Sequence, residues 1–250
     1  MNNNPFGTAA MSEGYATARP ALHGWIVERA MKRAGGGGEV LDVGCGAGLS
    51  TAAVGPWARR AVGMEPAVSM LITARRRGAK EEFVAGQAER LPFADGSFDW
   101  LTAAGSLNYV DLPAFFGEAG RVLRARGGVV VYDFAPGRKW RTSRGLEDWF
   151  KEFMERYPSP PSEAKVLDPS ILGGLNLGFR VEEAEEFETG IPMERDFYRR
   201  YMMTESNVAY AIRRGIAASE IEGWIEETMP VAGWGEVLFR GYWAIMRAWN

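Results

Sequence analysis

The stretch Glu39–Ser50, which reads EVLDVGCGAGLS, constrains the fold of this chain more than any other part of the sequence. An apolar run ends in Asp42, and glycine then recurs at Gly44, Gly46 and Gly48. The run predicts a buried strand, and the glycines predict a tight turn that opens a helix, because glycine permits φ > 0. We expect a side chain on any of these glycines to obstruct a ligand lying over the turn.

The spacing of the glycines and the acid before them indicate the kind of ligand. The pattern is G-x-G-x-G, which differs from the G-x-G-x-x-G of dinucleotide-binding folds. Asp42 adds a carboxylate beside the turn. A carboxylate suits a cationic amine better than a pyrophosphate, because two anions repel. The pattern therefore disfavours a nicotinamide-dependent dehydrogenase.

Composition excludes several other classes of protein. The net charge of −3 gives no bulk attraction to nucleic acid or to an anionic membrane. The sequence has no apolar run near the roughly 20 residues that cross a bilayer, and its first residues lack the pattern of a secretion signal. With one cysteine and one histidine, an internal disulfide is excluded and a metal site is not expected. These features predict a cytoplasmic protein that acts without metal.

Apolar runs alternate with helical patterns along the chain, which predicts a parallel sheet flanked by helices. The fold class predicted is α/β, with a doubly wound, mostly parallel seven-stranded sheet whose last strand returns antiparallel. Ligands of such sheets bind at the carboxyl ends of the strands. The predicted strands are residues 40–43, 60–64, 82–85, 98–103, 128–134, 178–188 and 237–249.

Several segments of residues 12–135 resemble the type-11 branch of the class I S-adenosylmethionine (SAM)-dependent methyltransferases. Residues 86–99 read GQAERLPFADGSFD and resemble the family's G-D-A-E-x-L-P-F-x-D-x-S-F-D run. The glycine-rich turn resembles the family's motif I, and residues 15–20 (YATARP) resemble its Y-x-x-x-R-P element. Residues 121–128 resemble R-V-L-K-P-G-G, with Ala125 in place of the usual proline. Strands six and seven match more loosely.

The resemblance implies a Rossmann-like methyltransferase fold that binds SAM. Glu65 would accept both ribose hydroxyls, Met64 and Met70 would cover the adenine, and Arg19 would pair with the SAM carboxylate. Gln87 stands where the family usually has an aspartate that accepts from the adenine amino group; an amide oxygen can also accept that bond. Glu65 and Arg19 could instead be surface charges, and Cys45 a packing residue. The cofactor-binding residues predicted are Tyr15, Arg19, Asp42, Gly44, Cys45, Gly46, Gly48, Glu65, Pro66, Met70, Gln87, Ala88, Glu89, Ala104 and Leu107.

The resemblance also divides the chain. We predict one methyltransferase domain over residues 1–250, with a SAM-binding core at 12–135. Residues 136–235 would form a helical cap, inserted after strand five and before strand seven and including strand six, and residues 236–250 the final strand. The cap is rich in aromatic residues, which either line an acceptor pocket or dock the cap helices on one another. A basic run at residues 138–144 could attract a phosphorylated substrate or RNA, or be a solvated loop.

The acceptor side offers two candidate catalytic residues, Asn108 and Tyr109, which follow strand four in AAGSLNY. This segment lacks the N/D-P-P-Y of enzymes that methylate amide or base nitrogens, and both residues could instead serve packing. His23 is expected at a helix surface or core edge rather than as a base.

The sequence therefore predicts a SAM-dependent methyltransferase that acts on an unidentified small molecule by in-line displacement. The alternatives are an RNA or protein methyltransferase and a non-catalytic SAM-binding module. We expect a monomer or homodimer that binds neither membrane nor, in the favoured interpretation, nucleic acid.

Overall fold

A computed structural model describes Gly14 and residues 16–77, 80–161 and 164–249. Two short 3-10 helices, Gly55–Trp57 and Leu107–Tyr109, accompany its longer elements. In chain order those are α1 (Leu22–Ala34), β1 (Glu39–Val43), α2 (Leu49–Val54), β2 (Arg60–Glu65), α3 (Val68–Arg76), β3 (Glu82–Ala85), β4 (Phe98–Ala104), α4 (Leu112–Val122), β5 (Leu123–Phe134), β6 (Lys139–Trp140), α5 (Gly145–Arg156), α6 (Pro169–Gly174), β7 (Phe179–Pro192), α7 (Arg195–Met202), α8 (Ser206–Arg213), α9 (Ala218–Thr228) and β8 (Glu236–Ala248).

The contacts divide the chain into two compact units. The sheet unit comprises Ala21–Phe134, Glu163–Glu186 and Gly241–Asn250. The helical unit comprises Met1–Pro20, Ala135–Ser162 and Phe187–Arg240. Strands β7 and β8 contribute residues to both units. The single domain expected from the sequence stays a prediction.

The strand order of the sheet is β3-β2-β1-β4-β5-β8. Neighbouring strands from β3 to β5 run parallel, β8 runs antiparallel to β5, and β7 pairs with β8. The predicted doubly wound, mostly parallel sheet is confirmed. Within the described residues the sheet has one strand more than predicted, because Lys139–Trp140 pairs antiparallel with Val237 and Leu238 of β8.

Burial explains why these segments form strands and helices. Every residue of β1 is buried, as expected for a central parallel strand covered on both faces. Helix α1 buries Leu22, Ile26 and Ala30 at helical spacing and ends at Gly35, whose φ of 90° terminates the helix. One hydrophobic core of the sheet unit packs α4 against β4, β5 and β8.

Strand boundaries differ from the sequence prediction: β7 continues to Pro192, beyond the predicted end at residue 188. Strand β5 begins at Leu123 rather than at residue 128, because Leu123 already pairs with Phe98 before the register shifts. Arg126, with a φ of 68°, lies in this irregular stretch. The helix after the glycine-rich turn is short, since α2 ends at Val54 and a 3-10 turn containing Pro56 follows.

The helical unit is built around aromatic rings. The ring of Trp149 stacks on those of Phe153 and Trp224 at centroid distances of 5.3 Å and 6.0 Å. Tyr198 contacts both Trp149 and Tyr201. Most of the aromatic residues that could have lined an acceptor pocket are buried in these contacts. They therefore pack the helices of this unit.

No helix among the described residues has the length and apolar character needed to cross a membrane.

Candidate functional site

The glycine-rich turn between β1 and α2 adopts the backbone that its sequence predicts. Gly44, Gly46 and Gly48 have φ angles of 72°, 54° and 82°. The N–H groups of Gly44 and Cys45 both donate to the carbonyl of Met64 at the end of β2, at 2.8 Å and 3.0 Å. Gly48 then precedes the first residue of α2. The turn is thus held against the neighbouring strand by its own backbone.

The three glycines are needed for different reasons. A Cβ on Gly44 would come within 2.4 Å of Cβ of Ser106, and one on Gly48 would meet Phe83 at 3.0 Å. A Cβ on Gly46 would meet no atom within 4 Å. At Gly44 and Gly48 an added side chain would meet the protein's own side chains, and the expectation that a side chain on any of the three would obstruct a ligand stays a prediction. Only Gly46 faces open space.

Asp42 lies beneath the turn with both carboxylate oxygens bonded to hydroxyl groups. Its Oδ2 accepts from Ser50 Oγ at 2.6 Å and from Thr51 Oγ1 at 2.7 Å, and its Oδ1 accepts from Thr102 Oγ1 at 2.8 Å. Burial raises the pKa of Asp42, and the three hydroxyl donors act against that rise. Asp42 thereby ties α2 and β4 to the glycine turn. Its predicted contact with a cationic amine stays a prediction.

Glu65 closes β2 and joins the turn to the start of the next helix. Its Oε2 accepts from the N–H of Gly46 at 3.1 Å, and its Oε1 accepts from the N–H of Ala67 at 3.0 Å. Burial raises the pKa of Glu65, the two backbone donors oppose the rise, and the charge of Asp42 adds to it. A carboxylate has about four acceptor sites, so each oxygen can accept a further hydrogen bond.

The other residues predicted beside Glu65 differ in exposure. Pro66 is exposed, whereas Met64 and Met70 are buried. The Cys45 thiol is also buried, and burial raises its pKa above the usual range, which leaves it unreactive. This environment agrees with a packing role for Cys45.

The segment after β3, which is predicted to contact the adenine of SAM, forms a turn. Gln87 is exposed and its carbonyl accepts from the N–H of Arg90 at 3.1 Å, while Ala88 is buried. Glu89 accepts from the N–H of Asp111 at 3.1 Å, which ties this turn to the start of α4. The roles of these three residues toward adenine stay predictions.

The residues at and after the end of β4 were predicted to lie at the acceptor side of the candidate site, which stays a prediction. Ala104 is half-buried, Leu107 packs in the hydrophobic core, and Tyr109 is exposed. Asn108 donates through Nδ2 to Oδ2 of Asp133 at 2.9 Å. The turn thus brings one of the two candidate catalytic residues to a carboxylate at the carboxyl end of β5.

Comparison with known proteins agrees with this geometry. Residues 41–131 match a family model described as a methyltransferase domain. These residues belong to the type-11 branch of the class I methyltransferases. The chain is also 40% identical over 139 residues to a demethylmenaquinone methyltransferase of Mycobacterium sp. strain JLS. That alignment covers 54% of this chain and 56% of the relative, so the chain spans little more than half the length of such relatives.

Solved structures share the fold of the methyltransferase domain and of the elements that follow it. A structure from Anaeromyxobacter dehalogenans described as a candidate type II methyltransferase matches with a TM-score of 0.60 at 22% identity, covering 92% of this chain and 97% of that one. A geranyl diphosphate methyltransferase solved in complex with SAM matches with a TM-score of 0.50 at 15% identity, covering 89% of this chain and 83% of that one. At these identities the likeness is one of fold.

Two predicted cofactor contacts lie outside the methyltransferase domain. Tyr15 falls outside the described residues. Arg19 lies in the helical unit, where its guanidinium pairs with the Glu205 carboxylate at 3.1 Å, donates to the carbonyl of Thr204 at 3.1 Å and lies 5.2 Å from the ring centre of Tyr201. Its charge is balanced by Glu205 in this arrangement. The predicted pairing of Arg19 with the SAM carboxylate stays a prediction.

The hydroxyl groups around Asp42 and the carboxylate of Asp133 were not predicted from the sequence. Asp133 had a visible signal, because it is a charged residue at the end of the apolar run GVVVYDF. Thr102 had none, since threonine is common in strands for packing reasons. His23 was expected at a helix surface or core edge, and it is half-buried with its Nδ1 2.8 Å from the Tyr132 hydroxyl.

Proposed function

We propose that this protein is a SAM-dependent methyltransferase that acts on a small molecule by in-line displacement. The observation that carries the proposal is the open space over Gly46, directly beside the carboxylate of Glu65. The turn thus leaves room for a ligand at Gly46, whereas protein side chains occupy the corresponding space at Gly44 and Gly48. The match of residues 41–131 to a methyltransferase domain supports the same cofactor.

The residues around the turn fit SAM chemically. Glu65 has acceptor sites left for the two ribose hydroxyls, as in other nucleotide-binding sheets. The net charge contributed by Asp42 and Glu65 favours a cationic ligand over a pyrophosphate. Gln87 and Ala88 would meet the adenine. When bound, SAM supplies a methyl group activated by its sulfonium.

The chain's own contribution would be to align the acceptor and exclude water. Alignment alone is worth up to about 7–11 kcal/mol in well-oriented systems. The turn after β4 would align the acceptor, because Ala104 and Asn108 lie at the carboxyl end of β4, the strand next to β1. A small-molecule acceptor is supported by the relatives named demethylmenaquinone methyltransferase.

Calorimetric titration with SAM, and separately with NADH, tests the proposal. We expect micromolar binding of SAM and no binding of NADH. Gly46→Ala should weaken SAM binding by about tenfold or more, the effect of losing roughly 1.4 kcal/mol, because the added methyl group occupies the open space.

Gly96→Ala is the matched control for that variant. Gly96 also has a positive φ, 61° against 54° for Gly46, and a Cβ there would likewise meet no atom within 4 Å. Both substitutions therefore carry the same backbone strain, but only Gly46 adjoins Glu65. Absence of SAM binding in the unsubstituted protein, or equal losses in the two variants, would refute the proposed function.

A further inference from the structure

A carboxylate at the carboxyl end of β5 has the surroundings of a proton acceptor. Oδ2 of Asp133 accepts from Asn108 Nδ2 at 2.9 Å, and Oδ1 accepts from the N–H of Phe134 at 2.8 Å. Burial raises the pKa of Asp133, and these two donors act against the rise. No positively charged side chain of the described residues pairs with it. The carboxylate is thus kept in place by neutral groups alone.

The end of β4 is shaped around this carboxylate. Gly105 has a φ of 61°, and a Cβ there would lie 2.9 Å from Oδ1 of Asp133. The N–H of Gly105 donates to the carbonyl of Tyr132 at 2.8 Å, which fixes the turn beside β5. Any other residue at Gly105 would displace the carboxylate or the turn.

Three titratable groups adjoin Asp133 or a residue next to it. Tyr242 lies directly opposite Asp133 in the β5–β8 ladder, and its hydroxyl is buried with no hydrogen-bond partner among the described residues. Burial and the charges of Asp133 and Asp168 raise the pKa of Tyr242. Lys165, in the segment that packs on Asn108, donates its ammonium group to the carbonyl of Val110. His23 bonds to Tyr132, the neighbouring residue of β5, whose side chain points to the other face of the sheet.

Two large side chains that adjoin Asn108 in the sequence or through a backbone contact are exposed. Tyr109 is 74% exposed and follows Asn108 directly. Val166 is 79% exposed, and the N–H of the preceding Lys165 donates to the carbonyl of Asn108 at 2.8 Å. A polar group with an apolar rim is the usual form of a small-molecule site, in which few polar contacts orient an apolar ligand. Exposed surface of this kind near Asn108 suits an acceptor with an apolar body.

We propose that Asp133 accepts the proton of a hydroxyl group on a phenolic or enolic acceptor, and that Asn108 is a positioning residue for its carboxylate. The inference rests on the proposed function. The O–H bond of the acceptor breaks, the proton passes to a carboxylate oxygen of Asp133, and the electron pair stays on the acceptor oxygen. Release of the proton to water restores the carboxylate. A base of raised proton affinity within hydrogen-bond reach suits this task.

Binding of two small probes tests the inference without knowledge of the natural acceptor. The probes are 4-nitrophenol and its methyl ether 4-nitroanisole, which lacks the O–H group. At a pH where Asp133 is ionised and the phenol is not, the protein should prefer 4-nitrophenol by about tenfold or more, as expected for a hydrogen bond to a charged acceptor. Asp133→Asn should abolish this preference. Asp148→Asn, which alters an exposed carboxylate of α5 in the helical unit, should keep it.

The pH dependence separates proton acceptance from a structural role. The preference needs ionised Asp133, so it should be lost as the pH falls through the pKa of that carboxyl. Asn108→Ala removes a donor that favours the charged form of Asp133. The loss of the preference for 4-nitrophenol should therefore move to higher pH, whereas the size of the preference well above that pH should not change. A merely structural role for Asn108 would leave the midpoint where it is.

Equal binding of both probes to the unsubstituted protein, or a preference that survives Asp133→Asn, would overturn the inference. If Asp133→Asn does not fold, as judged by circular dichroism, the test is the pH at which Asn108→Ala loses its preference for 4-nitrophenol. An unchanged midpoint of that loss would then overturn the inference. SAM titration of the same samples reports on the proposed function separately: SAM binding without discrimination between the probes refutes the role of Asp133 alone. Discrimination between the probes without SAM binding refutes the proposed function. In that case Asp133 would not act in methyl transfer, and the inference fails with the proposed function.

Discussion

Gly44→Ala tests whether the glycine turn is shaped by the protein or by a ligand. Gly44 has a φ of 72°, and its Cβ would lie 2.4 Å from Cβ of Ser106 and 2.9 Å from the Ser106 hydroxyl oxygen. The positive φ alone costs roughly 1–2 kcal/mol for an L-residue. Overpacking in a tight site costs about 1–3 kcal/mol more. We therefore expect Gly44→Ala to lower the free energy of unfolding by about 2–5 kcal/mol, the sum of the two effects.

Guanidinium denaturation of three variants separates the two contributions. Gly96→Ala has a similar φ and open space around the new methyl group, so it reports the backbone cost alone. Ser106→Gly removes the group that Gly44→Ala would strike, together with a hydroxyl that donates to the carbonyl of Val43 at 2.7 Å. The double variant should recover about 1–3 kcal/mol relative to the sum of the single losses, because neighbours that clash are coupled.

Either of two results would contradict the expected clash between Gly44→Ala and Ser106. Gly44→Ala could prove no more destabilising than Gly96→Ala, which would mean that the close approach to Ser106 relaxes at no cost. Alternatively, the losses of Gly44→Ala and Ser106→Gly could be additive within about 0.5 kcal/mol, the scatter expected of independent sites. Transitions followed by far- and near-ultraviolet circular dichroism must coincide for these energies to be compared.

Two further substitutions test the core and the hydroxyl groups around Asp42. Phe116→Ala empties a buried position beside Phe179 and should cost about 3–5 kcal/mol in unfolding free energy; a loss below about 1.5 kcal/mol, the range of well-tolerated core swaps, would contradict the core described. Thr102→Val keeps the shape but removes a donor to Asp42 and should cost about 1.5–3 kcal/mol. Because burial raises the pKa of Asp42 and this hydroxyl stabilises its charged form, the loss should be full above the folded-state pKa and shrink as the pH falls through it. A loss independent of pH would mean that Asp42 is not charged in the folded protein.

The sheet could be predicted from the sequence because its central strands are continuous apolar runs bounded by turns. Val40–Val43 and the VVVY of β5 leave few alternatives. Lys139–Trp140 could not be recognised, since a two-residue strand has no periodicity. The early start of β5 depends on the pairing of Leu123 with Phe98, a contact distant in sequence. Strand existence thus follows from local pattern, whereas strand ends depend on partners.

The part of the candidate site that could be predicted from the sequence is its backbone conformation. The positive φ angles of the three glycines follow from residue type and spacing. What surrounds each glycine does not: Ser106 closes Gly44 and Phe83 closes Gly48, and both come from other strands or turns. The same holds for Arg19, whose partner Glu205 is distant in sequence. Side-chain partners of this kind are fixed by tertiary packing, which a single sequence does not reveal.

The carboxylate of Glu65 accepts from the N–H groups of both Gly46 and Ala67, so it fastens the glycine turn and the approach to α3 with one side chain. Backbone that is already hydrogen-bonded has little conformational entropy left to lose. A ligand received there meets a preorganised surface, and its affinity is not reduced by the need to order a loop. The heat-capacity change of binding should then correspond to the apolar area covered at the interface, without the larger negative value that accompanies folding coupled to binding.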